Sequence, residues 1–240
     1  MRVLDPVSAY NQIAPAFAEL ARERKAFLES VERHVISAVP RGSRSLLDVG
    51  AGDGSRARRI AQSGGISELT LLEPAVAMQR GRADMRTMRA EDLHAIDDRF
   101  DVILCLWNVL GHVFPAAARI ETLRQFGRLL SPHGKAFIDL AHRYNARHYG
   151  VAPTAARFLH DLIAWREENG DVAVGWDFAG KRTTTQGHVF THREFASMCR
   201  SAGLKIERKF VLDYANGQDR RRDFEGHLLY IVTPRQTSAT

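Results

Sequence analysis

Three glycines alternate with other residues directly after a short apolar run, at Gly50, Gly52 and Gly54. Glycine permits a tight turn and lets a ligand approach the backbone closely, because it carries no side chain. An acid, Asp48, precedes the turn, and a helical stretch that begins at Ser55 follows it. The N–H groups at such a helix N-terminus are free to bind a ligand. The stretch therefore predicts a binding turn, although a glycine-rich turn alone does not identify its ligand.

Further polar side chains stand where later apolar runs end, at Glu73, Glu91, Asp92 and Asn108. These runs alternate with helical stretches and are apolar on both faces, which is typical of a parallel sheet covered by helices on both sides. Ligands of such sheets bind beyond the carboxyl ends of the strands. We therefore expect these side chains to gather around one pocket at that edge of the sheet.

The run from Asp48 to Gly54 resembles the first motif of class I S-adenosylmethionine-dependent methyltransferases, an acid-x-Gly-x-Gly-x-Gly after an apolar strand. The resemblance continues in order through Leu71-Leu72-Glu73-Pro74, Ala90-Glu91-Asp92-Leu93, Leu106-Trp107-Asn108 and Leu129-Leu130-Ser131-Pro132-His133-Gly134-Lys135. The opening Tyr10-Asn11-Gln12-Ile13-Ala14-Pro15-x-Phe17 is similar to a lead-in found in many members of this family. Four or five motifs in order are far more specific than any one of them.

The resemblance implies that the cofactor is S-adenosyl-L-methionine, a sulfonium cation that suits a pocket surrounded by acids. Glu73 would accept both ribose hydroxyls, Met78 would pack against adenine, and Glu91 or, preferably, Asp92 would accept the adenine amine. Asp48 would either contact the cofactor or only orient the turn. The implied cofactor-binding residues are Tyr10, Asp48, Gly50, Ala51, Gly52, Glu73, Pro74, Met78, Glu91, Asp92, Leu93, Leu106, Trp107 and Asn108.

Methyl transfer is an in-line displacement in which holding the acceptor in line gives most of the acceleration. A general base is needed only when the acceptor carries a proton that it must lose. We expect His112, after the fourth strand, and His142 and Tyr144, after the fifth, to be the catalytic residues. For each histidine, a helix-cap or surface role is the alternative. Asp139, in the fifth strand, is a further candidate, and His188 and His192 are less well placed. The sequence shows no metal-ligand spacing.

The predicted fold is an α/β domain with a doubly wound, mostly parallel, seven-stranded sheet. By resemblance, its strand order is 3-2-1-4-5-7-6 and its last strand is antiparallel. We divide the chain into an N-terminal helical lead-in (1–43), a cofactor-binding half (44–142), an inserted acceptor lid (143–190), and a closing helix and strands (191–240). Pro15 is expected to split the helical lead-in into a short and a longer helix.

The insertion 143–190 contains seven aromatic residues and is expected to form a hairpin from 171–178 and 182–189. Aromatic side chains over the cofactor favour an enclosed acceptor that is partly apolar or carries a ring. A second small hydrophobic core is the alternative. After the insertion, Thr191 and Glu194 predict a capped helix over 191–202, because their spacing matches a capping box.

The chain of 240 residues carries a formal charge of +6, which raises the question of a nucleic-acid partner. Its net charge is +2 up to His142 and +4 from Arg143 onward, and its basic residues form no continuous stripe. A dedicated nucleic-acid surface would show such a stripe. Cys105 and Cys199 show no disulfide pattern, and the N-terminus lacks an apolar signal, so we expect a cytoplasmic protein without a membrane segment.

The sequence thus predicts a methyltransferase that acts on an oxygen or nitrogen of a small metabolite. An RNA-modifying methyltransferase is the first alternative, and it would use Arg143, Arg147, Arg157 and Arg220–Arg222 to bind the RNA backbone. Two alternatives of another class remain open, a nicotinamide-dependent oxidoreductase and a catalytically silent subunit that binds the cofactor. The sequence does not predict the oligomeric state.

Overall fold

A computed structural model describes residues 3–178 and 180–235 of the chain, with an eight-stranded sheet at its centre. The strands are β1 Ser45–Val49, β2 Glu68–Leu72, β3 Met85–Arg86, β4 Phe100–Cys105, β5 Leu130–Leu140, β6 Asp171–Phe178, β7 Lys181–His188, β8 Leu204–Leu212, β9 Asp219–Arg220 and β10 His227–Pro234. The α-helices are α1 Pro6–Ile13, α2 Phe17–Glu23, α3 Lys25–Ala38, α4 Ser55–Gly64, α5 Val76–Gln79, α6 Ala116–Leu129, α7 Ala146–Tyr149, α8 Val151–Ile163 and α9 His192–Ser201. Short 3₁₀ helices occupy Ala90–Ala95, Val109–His112, Glu167–Gly170 and Asp223–Glu225.

The sheet has the strand order β3-β2-β1-β4-β5-β10-β8-β9. The strands from β3 to β5 run parallel to their neighbours, whereas β10 runs antiparallel to both β5 and β8. The predicted order and the antiparallel last strand are confirmed. The sequence does not predict β9, which pairs with the end of β8 and carries Arg220, ion-paired with Asp213 at 2.6 Å.

The central strands are buried on both faces because helices cover both sides of the sheet. Leu46 and Leu47 are adjacent on β1, so their side chains point to opposite faces. Leu47 belongs to the hydrophobic cluster that contains Phe126 of α6, and Leu46 to the cluster that contains Phe27 of α3. These two layers fix the position of the strand ends at which the site is built.

The N-terminal lead-in forms three helices, not the two that the sequence predicts. Pro15 lies between α1 and α2 as expected, but Arg24 leaves the helical conformation, and its N–H bonds to carbonyls of the last turn of α2, so α2 and α3 are separate. Asp5 caps α1 by accepting a hydrogen bond from the N–H of Ser8 at 3.2 Å. This cap fixes the start of the helix that carries Tyr10.

Between β5 and α9 lie α7, α8 and the hairpin formed by β6 and β7. The hairpin is antiparallel, with Asp171 opposite His188, and forms a sheet of its own, which confirms the predicted hairpin. The sequence does not predict α7 and α8. The apolar residues of α8 do not mark a buried face, because Leu162 and Ile163 are 67% and 88% exposed.

Helix α9 begins with the predicted capping box. The hydroxyl of Thr191 accepts a hydrogen bond from the N–H of Glu194 at 3.1 Å, and the Glu194 carboxylate accepts one from the N–H of Thr191 at 3.2 Å. Helix α5 is short, because Arg80 and Gly81 take positive φ angles of 51° and 72° and end it at Gln79. No helix in the described part of the chain combines the length and apolarity that a membrane span requires.

Candidate active site

The glycine turn after β1 has the left-handed backbone that its sequence predicts, with φ of +76° at Gly50 and +60° at Gly52. The N–H groups of Gly50 and Ala51 both bond to the carbonyl of Leu72 at 2.9 Å, which holds the turn against the end of β2. A Cβ on Gly50 would lie 2.5 Å from Val109, so only glycine fits there. The turn therefore lies directly against the ends of β2 and β4.

A cavity of about 390 Å³ lies above this turn, between the strand ends and helices α1 and α2. Eleven of the residues that the sequence singles out line it: Tyr10, Gly50, Ala51, Gly52, Glu73, Pro74, Met78, Glu91, Leu106, Trp107 and His112. A Cβ on Gly52 would contact both Met78 and Phe17, so the glycine leaves open the space between them. We call this the first cavity.

Glu73 is the buried acid of the first cavity. Its Oε2 accepts a hydrogen bond from the N–H of Gly52, and its Oε1 accepts one from the N–H of Ala75, both at 2.8 Å. A carboxylate can accept about four such bonds, so each oxygen retains capacity toward the cavity. Burial raises the pKa of Glu73 to about 7, and the nearby charge of Asp48 acts in the same direction.

Asp48 does not line the first cavity but lies beneath it in the sheet, 3% exposed. Burial raises the pKa of Asp48 to about 6, and the positive charge of Arg56 partly offsets this effect. Arg56 does line the cavity, and among the described residues its buried Nη1 has no hydrogen-bond partner. The site thus combines an open cavity with buried acids that are costly to ionise without a cation nearby.

The structure places Glu91 rather than Asp92 against the first cavity, contrary to the preference drawn from the sequence. The Asp92 carboxylate is exposed and accepts a hydrogen bond from the N–H of Arg89 at 3.4 Å, in the capping box of the 3₁₀ helix Ala90–Ala95. Leu93 points into the hydrophobic core and is fully buried there. Of these three, Glu91 alone can face a ligand.

Asn108 also differs from its predicted role, because its polar groups connect three strand ends. Its N–H donates to Oδ1 of Asp139 at 2.7 Å, its Oδ1 accepts from the N–H of Ala141 at 3.0 Å, and its Nδ2 donates to the carbonyl of His188 at 3.1 Å. Trp107 and Asn108 both have positive φ, at 64° and 58°. Asn108 therefore positions the end of β4 and does not line the first cavity.

A second cavity of about 320 Å³ lies beside the first, under the hairpin and helices α7 and α8. Tyr10, Phe17, Trp107 and His112 line both cavities, so these four residues mark the place where the two meet. Tyr10 is packed from the hairpin side by Trp176, with ring centroids 5.4 Å apart. A ligand in the second cavity would face a ligand in the first across this junction.

His112 is the one predicted catalytic residue that the described structure brings to the junction. Its Nδ1 lies 3.1 Å from the carbonyl of Gln186, and its Nε2 lies 3.1 Å from the hydroxyl of Tyr10. Burial lowers the pKa of His112, so the ring is neutral near pH 7. Because a carbonyl only accepts, Nδ1 carries the proton, and the unprotonated Nε2 accepts the hydrogen bond from the Tyr10 hydroxyl.

The other two predicted catalytic residues lie outside both cavities. The hydroxyl of Tyr144 donates to Oδ2 of Asp161 at 2.5 Å, which directs the ring toward α8. His142 is 3% exposed, and burial lowers its pKa to about 4 among Asp223, Lys209 and His192. Neither residue lines a cavity, because the chain turns away from the sheet directly after β5.

His188 and His192 have structural contacts. Both ring nitrogens of the fully buried His188 are held by carboxylates, Asp171 at 2.7 Å and Glu194 at 2.7 Å, which ties the hairpin to α9. The Nδ1 of His192 lies 2.9 Å from the hydroxyl of Tyr230 on β10. Asp139, the further candidate in the fifth strand, does line the second cavity.

Sequence reasoning misses Arg56 as a cavity residue and gives Arg157 only an RNA-binding role. Arg56 directly follows Ser55 at the start of α4, so its position after the glycine turn is the signal that could have identified it. Arg157 lies on α8, whose pattern gives no such signal. The described residues contain no cluster of acids, histidines and cysteines arranged to hold a metal ion.

A family model described as a methyltransferase domain matches residues 16–209 of the chain. Over 191 residues, 76% of this chain and 73% of the relative, the chain is 28% identical to the ubiquinone biosynthesis O-methyltransferase of Thiobacillus denitrificans (strain ATCC 25259 / T1). Over 131 residues, 45% of this chain and 46% of the relative, it is 29% identical to the glycine/sarcosine N-methyltransferase of Halorhodospira halochloris.

Solved structures share the fold. The crystal structure of a S-adenosylmethionine-dependent methyltransferase from Clostridium acetobutylicum ATCC 824 matches with a TM-score of 0.64 at 13% identity, covering 94% of this chain and 99% of that one. The sheet order, the glycine turn and the family model lead to the same assignment. The chain belongs to the class I S-adenosylmethionine-dependent methyltransferase family.

Proposed function

We propose that this methyltransferase transfers a methyl group from S-adenosyl-L-methionine to an oxygen or nitrogen of a small-molecule acceptor. The observation that carries the proposal is the junction of the two cavities at Tyr10, Phe17, Trp107 and His112. One cavity fits a cofactor and the other an acceptor of modest size. Such an arrangement holds two reactants at attack distance, which is the main requirement of methyl transfer.

The residues of the first cavity fit the cofactor. Glu73 retains acceptor capacity for two ribose hydroxyls, Glu91 can accept the adenine amine, and Met78 offers an apolar surface. The unpartnered Nη1 of Arg56 suits the carboxylate of the methionyl end. Asp48 would act through its negative charge beneath the cavity. Bound there, the cofactor would supply a methyl group on a positively charged sulfur.

His112 would act as the general base when the acceptor carries a proton to lose. Its Nδ1–H is fixed by the carbonyl of Gln186, so Nε2 faces the junction as an acceptor that now bonds to the hydroxyl of Tyr10. The acceptor oxygen or nitrogen forms the new bond to the methyl carbon while the carbon–sulfur electrons remain on sulfur. The proton that the acceptor loses goes to Nε2 of His112.

The charges of the molecule favour a small molecule over RNA. Arg143 is paired with Asp161 at 2.5 Å, while Arg147 and Arg220 are paired with Asp213 at 2.8 Å and 2.6 Å. Paired arginines are poor phosphate ligands, because they would have to exchange one anion for another. The buried acids around the first cavity also argue against a dinucleotide cofactor, whose pyrophosphate requires donors and not carboxylates.

We propose a separate role for each of the four segments predicted from the sequence. Residues 1–43 would cover the cofactor, 44–142 would bind it, 143–190 would enclose the acceptor, and 191–240 would complete the sheet. A cytoplasmic location is part of the proposal. Its support is that Cys105 and Cys199 are both buried and form no disulfide, a pattern that suits a reducing compartment.

The proposal is tested by incubating the protein with methyl-labelled cofactor, once with a small-molecule metabolite extract and once with total tRNA. Label is expected in a product of the metabolite fraction only. The matched control is the Glu73→Ala protein, which should incorporate far less label at the same low cofactor concentration. Label in tRNA, or no label in either fraction, would contradict the proposed acceptor class.

A further inference from the structure

The second cavity contains two buried polar atoms that bear opposite charges and lack partners. Among the described residues, Nη1 of Arg157 and Oδ2 of Asp139 have no hydrogen-bond partner, and both side chains line this cavity. Native proteins satisfy nearly all buried polar groups, so each exception needs an explanation. A ligand that bonds to both atoms supplies one.

Arg157 differs from the arginines around it. Arg143 and Arg147 are each paired with a carboxylate, whereas the Arg157 guanidinium lies over the ring of Tyr149, 4.6 Å from its centroid. Stacking on an aromatic face fixes the plane of the guanidinium and leaves its N–H groups free to bond sideways. The cation is therefore oriented before any ligand arrives.

The histidines of this cavity do not compete with Arg157 for an anion. Burial lowers the pKa of His148, and the charges of Arg24 and Arg157 lower it further. Burial also lowers the pKa of His227, whose Nδ1 accepts a hydrogen bond from the N–H of His142 at 3.1 Å. Of the described residues that line the cavity, Arg157 alone carries a permanent positive charge.

Asp139 provides the opposite charge. Its Oδ1 is used by the N–H of Asn108, and its side chain is only 3% exposed, so Oδ2 is held in one direction at the end of β5. Burial raises the pKa of Asp139 to about 6, which leaves it mostly ionised near pH 7. An ionised carboxylate accepts hydrogen bonds and donates none.

We propose that the methyl acceptor is a ring compound with a carboxylate, which Arg157 binds, and with a hydroxyl or amino group that donates to Asp139. The proposal rests on the proposed function and adds the substrate class. Tyr149, Tyr214 and Trp176 give the cavity flat aromatic walls that suit a single ring. A guanidinium and a carboxylate have matching planar geometry, which makes this pair selective.

A phosphorylated acceptor fits less well. A phosphate monoester carries nearly two negative charges near pH 7, but the cavity offers one permanent cation and also contains the Asp139 carboxylate. One positive and one negative group in the same cavity match an acceptor with one anionic end and one hydrogen-donating end. A carboxylate therefore fits the second cavity better than a phosphate does.

The test is a binding measurement that needs no turnover. The protein is saturated with S-adenosylhomocysteine, and calorimetry compares benzoate, 4-hydroxybenzoate and 4-aminobenzoate with the corresponding carboxamides and with phenyl phosphate. For at least one pair, the acid is expected to bind at least tenfold more tightly than its amide. This preference should disappear in Arg157→Gln, persist in part in Arg157→Lys, and remain unchanged in Arg166→Gln, whose arginine is exposed just beyond α8.

Three results would overturn the proposal: no acid that binds more tightly than its amide, an acid preference that survives in Arg157→Gln, or tighter binding of phenyl phosphate than of the acids. Binding of S-adenosylhomocysteine, measured first in every variant, shows that the protein is folded. If the unmodified protein binds S-adenosylhomocysteine but prefers no acid, the inference alone fails. If it does not bind S-adenosylhomocysteine, the proposed function fails as well.

Discussion

The two cavities are built in different ways, although they share four residues. The first is formed around the backbone turn of Gly50 and Gly52 and around Glu73, which the turn itself hydrogen-bonds. The second is formed largely by side chains from helices α1, α2, α3, α7 and α8, from the first hairpin strand β6, and from the segments around Tyr214 and His227. A site that is built from backbone groups depends on a local sequence motif. A site that is built from side chains far apart in the sequence can change by single substitutions.

The two cavities also differ in the charges that surround them. Glu73 and Asp48 give the first cavity an excess of negative charge, and burial raises the pKa of both. The second cavity balances Arg157 against Asp139. The first therefore suits a cation and the second a ligand with a polar group at each end. Substitutions of residues that line only one cavity should therefore leave ligand binding in the other intact.

The largest effect is expected at the junction, which belongs to both cavities. His112→Ala should reduce kcat about a hundredfold, or about 3 kcal/mol, because the acceptor loses the group that takes its proton. Cofactor affinity should change less than twofold. Single-turnover kinetics with saturating cofactor and isothermal calorimetry provide the two numbers.

The matched control for His112 is Tyr144→Phe, which removes a hydroxyl bonded to Asp161 outside both cavities. Its kcat should stay within about twofold of the unmodified protein, as expected for a hydrogen bond remote from the reacting atoms. An unchanged kcat in His112→Ala would show that the acceptor needs no base. It would also show that the junction works by position alone.

The second effect is confined to the first cavity. Glu73→Ala should weaken cofactor binding by about 2 kcal/mol, because two charge-assisted hydrogen bonds to the ligand are lost. Calorimetric titration with S-adenosylhomocysteine measures this change. Asp92→Asn is the control, since the exposed Asp92 carboxylate lies outside the cavity and the variant should bind normally. An equal loss of cofactor affinity in both variants would indicate that Asp92 contacts the adenine amine.

The third effect concerns pH and again separates the cavities. With the pKa of Glu73 raised to about 7, the carboxylate is mostly protonated at pH 6 and mostly ionised at pH 8. Only the ionised form accepts hydrogen bonds at both oxygens, so cofactor affinity should fall about tenfold between pH 8 and pH 6. The raised pKa of Asp48, about 6, lowers the negative charge beneath the cavity over the same pH range and so acts in the same direction on cofactor affinity. In Glu73→Gln the dependence should flatten, and a profile unchanged by that substitution would assign the titration to another group.

The sheet order is implied by the family resemblance, and most of the first cavity is predicted because the motifs that carry this resemblance are local. The glycine turn, the acid that ends β2 and the apolar strands each occupy a few consecutive residues. The preference for Asp92 does not match the cavity lining, because two adjacent acids differ only in the direction of their side chains. The capping box of a 3₁₀ helix sets that direction, and the sequence does not predict this helix.

The second cavity is much less predictable. Arg157 lies on a helix whose apolar residues face outward, so its pattern indicates neither the helix nor the side that lines the cavity. His142 and Tyr144 follow the end of β5 in sequence, yet the chain turns them away, and Asp139 before them lines the cavity. Proximity to a strand end predicts the neighbourhood of a site, but the path of the following loop decides which side chains enter it.

Helix α1 connects the two cavities through Tyr10. The chain just before it pairs with β7 through Leu4 and Thr185, and Tyr10 bonds to His112 and contacts Trp176. A ligand that orders Tyr10 in one cavity removes part of the entropy cost of ordering it for the other. Thermodynamic linkage makes such coupling reciprocal: the acceptor must raise the affinity for the cofactor by the same factor by which the cofactor raises the affinity for the acceptor.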